Sequence, residues 1–465
     1  MNYISTRGQA PTLRFEEALL AGLAEDGGLY VPKAWPRLSE AMLRSFVDAP
    51  FQQVAVDVLH PFMGDDVPRA RLADMVEEAY VGFDSADVAP LTDLGDNHYF
   101  LELYHGPTLA FKDVAMQLLA RLMDDALIRR GERATIIGAT SGDTGGAAIE
   151  AFRGREAVDV FILFPHGRVS DVQRKQMTTP QDANVHTLSI DGTFDDCQAL
   201  VKDMFNDMQF RKDMSLAGVN SINWARVMAQ ITYYFTAAAK LGAPDQPVAF
   251  SVPTVNFGDV FAGYVAAQMG LPVAQLMVAT NVNDILARTM ASGVYETGEV
   301  IATASPSMDI QVSSNFERLL FEVTGRDAAR VRGLMGELKQ SERFEMTEDE
   351  LTLMRAMFAA ERVDETDTID VMRAVQAKNG FQIDPHSAVG VGAAKRAVLP
   401  EGVPMVTLAT AHPAKFPKAV EAAYNAEPDT PQRVIDMLDK PERFTECGND
   451  LAAVQALIRD KARIG

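Results

Sequence analysis

Cysteine is scarce in this chain, and its scarcity argues against a cysteine-ligated zinc site and against a disulfide-rich domain. Among 465 residues there are two cysteines, Cys197 and Cys447, which stand far apart. They provide neither the spacing of a zinc site nor the framework of a disulfide-rich secreted domain. Seven histidines form no HExxH pattern. We therefore expect no metal site, and we expect a reducing, cytoplasmic location.

Positive charge and long apolar runs are also in short supply. Lys and Arg number 43 against 64 Asp and Glu, which gives a formal net charge of −21. This balance argues against nucleic acid and anionic membrane surfaces as partners, because phosphate neutralisation needs clustered basic side chains. No run of about eighteen apolar residues predicts a membrane span, and residues 1–20 lack the apolar core of a signal peptide. A small anionic substrate stays compatible with the charge, as does either a monomer or a homodimer.

What the chain does contain is an alternation of strand and helix signals. Residues 1–90 predict short helices broken by prolines, for example over 15–23 and 38–46. From about residue 99 onward, short apolar strands alternate with amphipathic helices, which predicts a parallel α/β architecture. The predicted strands are 100–104, 135–137, 158–164, 185–190, 248–252, 276–279 and 405–408. The segment 307–384 is predicted to be mostly helical, without strands.

Ligands of parallel sheets bind at the carboxyl ends of the strands, and a lysine follows the first of these ends. Pro107 suits the first turn of a helix predicted over 109–129, where its missing N–H is not needed. Lys112 then lies near a helix N-terminus beside Phe111, and both the helix dipole and burial disfavour its ammonium form. Such an amine can react with a carbonyl cofactor. The alternative is a solvated surface lysine paired with Asp113.

Small and hydroxylated residues follow the second predicted strand. They are Thr140, Ser141, Asp143 and Thr144, with glycines at 142, 145 and 146. Such a turn lets backbone N–H groups approach a ligand, the helix behind it favours an anion, and the hydroxyls add donors. The turn therefore suits a substrate carboxylate. The alternative is a capped turn with Asp143 as the N-cap residue.

Two further strand ends carry candidate ligand groups. The loop before a helix predicted over 260–269 suits a dianionic phosphate, and it consists of Thr254, Val255, Asn256, Phe257 and Gly258. It is not a Walker A motif, because no GK[ST] follows. After the last strand, Thr410 can offer a hydroxyl to a ring nitrogen, and His412 and Lys415 can serve an anion. The alternatives are a plain turn between strand and helix, and a His412 satisfied by the backbone.

The four strand ends together describe one cofactor. A lysine for an aldehyde, an amide cradle for a phosphate, a carboxylate site and a hydroxyl for a pyridine nitrogen are what pyridoxal phosphate requires. No single one of the four decides the matter. Their common position at the ligand face of the sheet predicts a pyridoxal-phosphate enzyme with Lys112 as the residue that binds the aldehyde.

The motifs at these positions resemble those of the threonine synthases, a family of fold-type II pyridoxal-phosphate enzymes related to the tryptophan synthase β chain. The resemblance extends over nearly the whole chain, beginning at residues 3–8 and 22–32. It rests further on HGPTLAFKD (105–113), ATSGDTG (139–145), SINWARVMAQ (221–230), SPSMDIQVSSNFERLLFE (305–322), IDPHSAVG (383–390) and TAHPAKF (410–416).

The resemblance implies a fold and a reaction. The fold class is α/β, with two open, mostly parallel sheets flanked by helices and an N-terminal, mainly helical domain. We expect domains at 1–95, at 96–132 together with 242–465, and at 133–241. The reaction is the pyridoxal-phosphate-dependent conversion of O-phospho-L-homoserine and water to L-threonine and phosphate, the last step of threonine biosynthesis.

The resemblance also implies roles for individual residues. Lys112 forms the Schiff base with the cofactor, the loop 254–258 binds the cofactor phosphate, and Thr410 faces the pyridine nitrogen. Near the substrate carboxylate or the ring oxygen we expect Ser141, Asp143 and Thr144, and we include Thr140 as a substrate-binding residue. Asn223 and Arg226 are candidates for the substrate phosphate, with a solvated helix face as the alternative for Arg226.

One position departs from the family pattern. The family has glycine before Asn256, where this chain has Val255. A β-branched residue resists positive φ and brings bulk near the phosphate, so we expect either negative φ at Val255 or a shifted loop. Two rival functions remain at this level. One is a fold-type II lyase or dehydratase that forms a keto acid and ammonia, and the other is a non-catalytic protein that binds phosphorylated ligands.

Overall fold

Strands and helices alternate along the chain as the sequence pattern predicts, and the computed structural model describes them for residues 1–140 and 142–464. The strands are β1 (Asn2–Ser5), β2 (Leu13–Arg14), β3 (Tyr30–Pro32), β4 (Leu91–Gly95), β5 (His98–Glu102), β6 (Ala134–Ala139), β7 (Val158–Pro165), β8 (Val185–Asp191), β9 (Leu216–Ala217), β10 (Val248–Pro253), β11 (Val273–Thr280), β12 (Val294–Glu296), β13 (Arg343–Glu345), β14 (Phe358–Arg362), β15 (Met405–Ala409) and β16 (Thr445–Gly448).

Many of the helices begin at a residue whose side chain caps the first turn. Ser170, Thr193 and Thr347 each form a capping box with the residue three positions on, which satisfies backbone N–H groups that have no partner inside the helix. The helices are α1 (Phe15–Ala21), α2 (Glu40–Ser45), α3 (Phe51–Met63), α4 (Arg69–Tyr80), α5 (Lys112–Arg130), α6 (Asp143–Phe152), α7 (Asp171–Thr178), α8 (Phe194–Asn206), α9 (Met208–Asp213), α10 (Trp224–Lys240), α11 (Gly258–Gln268), α12 (Ile285–Ser292), α13 (Phe316–Val323), α14 (Ala328–Ser341), α15 (Glu348–Arg355), α16 (Glu365–Asn379), α17 (Pro385–Ala394), α18 (Pro417–Tyr424), α19 (Gln432–Leu438) and α20 (Leu451–Lys461).

The larger sheet has the strand order β14-β11-β10-β15-β5-β4. Its strands are parallel except for β4, which pairs antiparallel with β5. Strands β10 and β15 are buried along their whole length, as expected where helices cover both faces. The prediction that 307–384 lacks strands is wrong, because β14 lies at the edge of this sheet. Its sequence, FAAER, has only one fully buried residue and so no apolar run to reveal it.

The second sheet has the order β16-β8-β7-β6-β9 and is parallel throughout. Two open, mostly parallel sheets flanked by helices are therefore present, as predicted. Strand β16 pairs with β8, and helix α20 packs on α8, although both lie within the range expected for the large domain. The proposed domain boundaries themselves stay a prediction.

The N-terminal region contains α1 to α4 and is mainly helical, as expected. It also contains a small antiparallel sheet of order β2-β1-β3, which the sequence analysis did not predict. These strands have two to four residues each, too few to show the alternation by which a strand is recognised.

Helix α10 forms the core between this region and the larger sheet. It is buried on all sides from Trp224 to Ala239 and packs against α3, α5 and α11. The Trp224 ring lies 6.1 Å from the ring of Tyr3, 5.8 Å from that of Trp35 and 5.7 Å from that of Phe62, centroid to centroid. Because α10 follows directly on Asn223, this aromatic packing fixes the position of one candidate site residue.

Two further observations concern the described residues. None of their helices is long and apolar enough to cross a membrane. Nor do three or more of their His, Cys, Asp and Glu side chains come together as a metal site would require.

We expect Trp224→Ala to lower the free energy of unfolding by about 3–5 kcal/mol, because it leaves a cavity among packed aromatic rings. Urea unfolding followed by circular dichroism measures this loss. Val398→Ala is the control: Val398 is 89% exposed, and its truncation is expected to change the free energy by less than about 0.5 kcal/mol. Equal effects of the two substitutions would contradict a structural role for the aromatic cluster.

Candidate active site

Lys112 is the first residue of α5, which begins three residues later than predicted. Residues 109–111 form a turn instead, in which Leu109 has a φ of +61°. The turn is fixed by the last loop of the larger sheet, because Phe111 N–H donates to the Thr410 carbonyl at 2.8 Å and Ala110 bridges Ala411. The Lys112 side chain is 12% exposed. This geometry places a largely buried amine at a helix N-terminus, as predicted.

The carboxylate nearest to Lys112 is not that of Asp113. Asp113 is buried and accepts hydrogen bonds from the Thr108 N–H and hydroxyl, both at 2.7 Å, and its burial raises its pKa to about 6. Lys112 Nζ lies 3.5 Å from Asp143 Oδ2. Burial lowers the pKa of Lys112, and the charges of Lys415 and Arg226 lower it further, while Asp143 raises it. The surface pair with Asp113 is therefore excluded, and the net effect is a Lys112 pKa below its ordinary value.

The loop after β6 turns sharply into α6. Thr140 Oγ1 accepts hydrogen bonds from Gly142 N–H at 2.9 Å and from Gly145 N–H at 3.0 Å, so this hydroxyl holds the loop itself. Asp143 is the first residue of α6 and not its N-cap, which is Gly142. Thr144 is half-buried in the first turn, and Ser141 lies outside the described residues.

Asp143 is a buried carboxylate surrounded by donors. Burial alone would raise its pKa, but Lys415 and Lys112 together with the Gln173 amide hold that pKa well below its usual range. Gln173 Nε2 donates to Oδ1 at 3.0 Å, and Lys415 Nζ lies 3.0 Å from the same oxygen. Ser307 Oγ lies 3.4 Å from Oδ2. The group is ionised at neutral pH.

The loop 254–258 connects β10 to the N-terminus of α11. Phe257 has a left-handed backbone with a φ of +63°, and its buried ring packs against Phe316 and Phe358. Gly258 then begins the helix, and a Cβ there would come within 3.3 Å of Asn315 Nδ2. A tight loop that opens a helix presents backbone N–H groups to an anion.

Val255 has no positive φ, which decides between the two expectations for this position. The left-handed residue is Phe257, two positions further on. The Val255 side chain is half-buried at the edge of an apolar cluster that includes Met277 and Met308. A β-branched residue is therefore accommodated without backbone strain.

A segment of the 305–322 motif holds this loop, a role that its sequence alone did not predict. Asn315 donates its N–H and its Nδ2 to the Asn256 carbonyl, each at 2.9 Å, and Ser313 Oγ donates to the Val255 carbonyl at 2.8 Å. The fully buried Arg318 contacts Asn315 Oδ1 and donates to the Tyr30 carbonyl at 2.9 Å. The resemblance of residues 305–322 to a family motif was the sequence signal that could have pointed to this role.

The loop after β15 contributes Thr410, which is buried. Its N–H donates to Ser387 Oγ at 3.2 Å. His412 is not an anion ligand, since its Nδ1 accepts the Ala414 N–H at 3.1 Å and burial lowers its pKa to about 4. This is the backbone-satisfied alternative. Lys415 is the cation that this loop supplies.

A histidine from the 383–390 motif also faces the site. His386 Nε2 accepts the Ser307 N–H at 3.2 Å, and its Nδ1 lies 2.9 Å from Asp384 Oδ1. Asp384 is fully buried as the N-cap of α17. The sequence of this motif predicted no role for its histidine.

One cavity brings these loops together. Its lining includes Lys112, Asp143, Val255, Ser307, His386 and Thr410. An amine, a hydroxyl and a helix-opening loop thus meet at one cavity, and these groups fit pyridoxal phosphate. Asn223 and Arg226 do not line it.

Asn223 and Arg226 lie at the N-terminus of α10. Both ends of the Asn223 amide bind backbone, since Oδ1 accepts the Ala225 N–H at 3.0 Å and Nδ2 donates to the Leu19 carbonyl at 2.9 Å. Arg226 is buried rather than solvated, and its Nη1 donates to the Val219 carbonyl at 3.1 Å. Burial lowers its pKa to about 10. Because Arg226 is buried, the alternative of a solvated helix face is excluded. No carboxylate of the described residues lies within 4 Å of its guanidinium, so its positive charge has no counter-ion there.

Comparisons with known proteins match this chain over its whole length. Models of the threonine synthase N terminus, of pyridoxal-phosphate dependent enzymes and of the threonine synthase C-terminal region match residues 2–80, 87–411 and 387–458. The chain is 51% identical to the threonine synthase of Pseudomonas aeruginosa, over 100% of this chain and 99% of that protein. It is 41% identical to that of Saccharomyces cerevisiae, over 96% and 95%.

Solved structures agree with these relatives. A crystal structure of pyridoxal-phosphate-bound threonine synthase from Brucella melitensis is similar to the chain with a TM-score of 0.98 at 57% identity, covering 100% of both chains. The threonine synthase structure from yeast is similar with a TM-score of 0.94 at 38% identity, covering 99% of this chain and 98% of that one.

We expect Val255→Gly to weaken cofactor binding, because glycine loosens a loop that needs no positive φ at this position. The added backbone freedom costs about 0.5–1 kcal/mol, which corresponds to a rise in the Kd for pyridoxal phosphate of roughly two- to fivefold. Absorbance titration of the cofactor-free protein measures it, with Val255→Ala as the control near the wild-type value. Tighter binding in Val255→Gly would show that the valine side chain obstructs the cofactor.

Proposed function

Because this chain belongs to the threonine synthase family of pyridoxal-phosphate-dependent enzymes, we propose that it converts O-phospho-L-homoserine and water to L-threonine and phosphate at the cavity of Lys112. The observation that supports this site best is the meeting of three groups at one place. The Lys112 amine, the Thr410 residue and the loop that opens α11 all border the same cavity. Two properties of the enzyme stay predictions: its state as a monomer or homodimer, and its cytoplasmic location.

Lys112 is the group that we propose for cofactor attachment and proton transfer. When bound, pyridoxal phosphate supplies an aldehyde that condenses with amines and a pyridine ring that withdraws electron density. Burial and the neighbouring cations lower the pKa of the Lys112 amine, so it loses its proton more readily than a solvated lysine does. A neutral amine can accept the proton that leaves the substrate Cα and return protons later in the reaction.

The overall reaction requires several proton movements around one bond cleavage. The C–O bond at Cγ breaks to release phosphate, Cγ gains a proton, and Cβ loses a proton and gains the hydroxyl of water. Lys112 is the proton carrier that we assign at Cα. The released phosphate is a further acid or base available within the site, since its second pKa lies near neutrality.

The cofactor's other ends have candidate ligands in two loops. Backbone N–H groups of 254–258 at the start of α11 would hold its phosphate. The Thr410 hydroxyl would face its pyridine nitrogen. A hydroxyl at that position stabilises a protonated nitrogen less than a carboxylate does, which would limit the electron withdrawal of the ring.

The substrate carboxylate is best served by the N-terminus of α6. The Thr144 hydroxyl in its first turn supplies a donor, and Ser141 stays a predicted donor. Asp143 is an ionised carboxylate, so its charge excludes direct contact with another carboxylate, and we propose an electrostatic role for it toward Lys112. The Thr140 hydroxyl is already used by two backbone N–H groups, and we assign it to loop stability.

Arg226 is our candidate for the substrate phosphate. It is buried and has no carboxylate partner among the described residues, and its charge is felt at Lys112. A guanidinium pairs with phosphate through two parallel hydrogen bonds. Asn223 supports the helix start by capping rather than offering a free amide.

We expect Lys112→Ala to lose threonine formation and the absorbance near about 400 nm that the cofactor shows when bound to an amine. The assay follows threonine and phosphate together after adding O-phospho-L-homoserine, and it measures keto acid and ammonia as the products of the rival lyase. The exposed Lys395 provides the control variant Lys395→Ala. Unchanged turnover in Lys112→Ala, or keto acid as the wild-type product, would overturn the proposal.

Arg226→Met is expected to raise KM for O-phospho-L-homoserine by about 10- to 100-fold, the loss of hydrogen bonds to a charged group. The cofactor absorbance should not change. Competitive inhibition by inorganic phosphate should weaken in parallel. Arg211→Gln, on the exposed face of α9, is the control. An unaltered KM and unaltered phosphate inhibition would remove Arg226 from the substrate site.

A further inference from the structure

Lys415 is the one fully buried lysine in the described part of the chain, and its side chain is 0% exposed. Its ammonium has three acceptors around it. They are the Thr108 carbonyl at 2.7 Å, Gln176 Oε1 at 2.9 Å and Asp143 Oδ1 at 3.0 Å. An ammonium carries three donors, so the group is satisfied and fixed. No donor is left for a ligand.

Asp143 therefore stands between two lysines, which approach different oxygens. Lys415 lies 3.0 Å from Oδ1, and Lys112 lies 3.5 Å from Oδ2. The contact to Lys415 is the shorter one and belongs to a complete set of hydrogen bonds, whereas Lys112 has Asp143 alone. When two cations share one carboxylate, one of them can become neutral and the other still balances the charge of the carboxylate. The weaker-held cation is Lys112.

No other charged group described near Lys112 and Lys415 takes the place of Asp143 between them. Arg226 contributes a further positive charge, which lowers the pKa of Lys112. The Asp113 carboxylate accepts hydrogen bonds from the Thr108 N–H and hydroxyl. His386 lines the same cavity but is paired with Asp384. Asp143 is thus the anion that links the two lysines.

We propose that Lys415 is a positioning residue that acts as the permanent counter-ion of Asp143, so that Lys112 can lose its positive charge without leaving a buried carboxylate unpaired. The proposal rests on the proposed role of Lys112 as the cofactor-binding amine. Without a second cation, neutralising Lys112 would strand the Asp143 charge in the interior, which is strongly unfavourable. With it, the carboxylate stays ionised whether or not Lys112 carries a proton.

Removing the Lys415 charge is expected to shift the titration midpoint of Lys112 in one direction. In Lys415→Met, Lys112 becomes the sole counter-ion of Asp143 and loses the repulsion of Lys415. Both changes favour the ammonium form of Lys112, so its titration midpoint moves to higher pH. An added charge partner moves such midpoints by roughly one to three pH units. In Lys415→Arg, the positive charge is kept and the midpoint stays near that of the wild type.

The test measures Lys112 directly in the full-length protein prepared free of cofactor. Acetic anhydride labels only the neutral amine, and mass spectrometry of the Lys112 peptide gives the labelling rate as a function of pH. Lys418→Met, at an exposed lysine three residues further on, is the matched control with an unchanged midpoint. Because neither substrate nor turnover enters the measurement, its outcome is independent of whether the chain forms threonine.

A double-variant cycle with Asp143→Asn separates the counter-ion role from simple repulsion. If Lys415 acts through Asp143, the shift caused by Lys415→Met is much smaller in the Asp143→Asn background. An equal shift in both backgrounds, or no shift in the wild-type background, would overturn the proposal. Lys415→Gln, which keeps hydrogen bonding while losing charge, provides the same comparison if the methionine variant fails to fold by circular dichroism.

Discussion

The ionised carboxylate of Asp143, buried between two lysines, is the constraint around which the site is organised. Asp143 comes from the helix that follows β6 in the second sheet, whereas Lys112 and Lys415 follow β5 and β15 of the larger sheet. A buried charge needs both an opposite charge and hydrogen bonds. The two sheets must therefore be placed so that the loops carrying these three residues meet. The same contact that joins the sheets thereby places a carboxylate beside Lys112, the amine to which we assign the chemistry.

A second set of interactions fixes the anion loop, and it relies on backbone carbonyls. Asn315 and Ser313 bind the carbonyls of Asn256 and Val255, and Arg318 connects Asn315 to the Tyr30 carbonyl of the N-terminal region. Burial lowers the pKa of Arg318 to about 9, which still leaves it protonated at neutral pH. By using carbonyls as acceptors, the support occupies none of the N–H groups of residues 255–258, whereas the Thr254 N–H donates to the Ala279 carbonyl at 2.9 Å. The N-terminal region thus supports the proposed cofactor site without lining its cavity.

The sequence predicted the larger features of this arrangement and missed the smaller ones. Buried parallel strands such as β10 show as apolar runs, and the residues after them were recognised as the ligand face from topology alone. The edge strand β14 and the two- to four-residue strands of the N-terminal sheet lack such runs and were missed. Lys112 was placed correctly at a helix start, but its partner was not, because the contact with Asp143 joins separate parts of the chain. Such pairing depends on tertiary packing, which local spacing does not encode, and the same holds for Arg318 and His386.

Backbone strain beside the cavity follows from the same packing. Leu109 and Phe257 are left-handed residues that carry side chains, a conformation that costs roughly 1–2 kcal/mol for an L-residue. Each is buried, and burying a large apolar side chain contributes about 1.5–3 kcal/mol, which offsets the cost. Glycine at either position would relieve the strain, yet it would also remove the packing that fixes the loop. For the same reason Val255 needs no glycine-like freedom: the sharp turn of the anion loop occurs at Phe257, where two aromatic rings hold it in place.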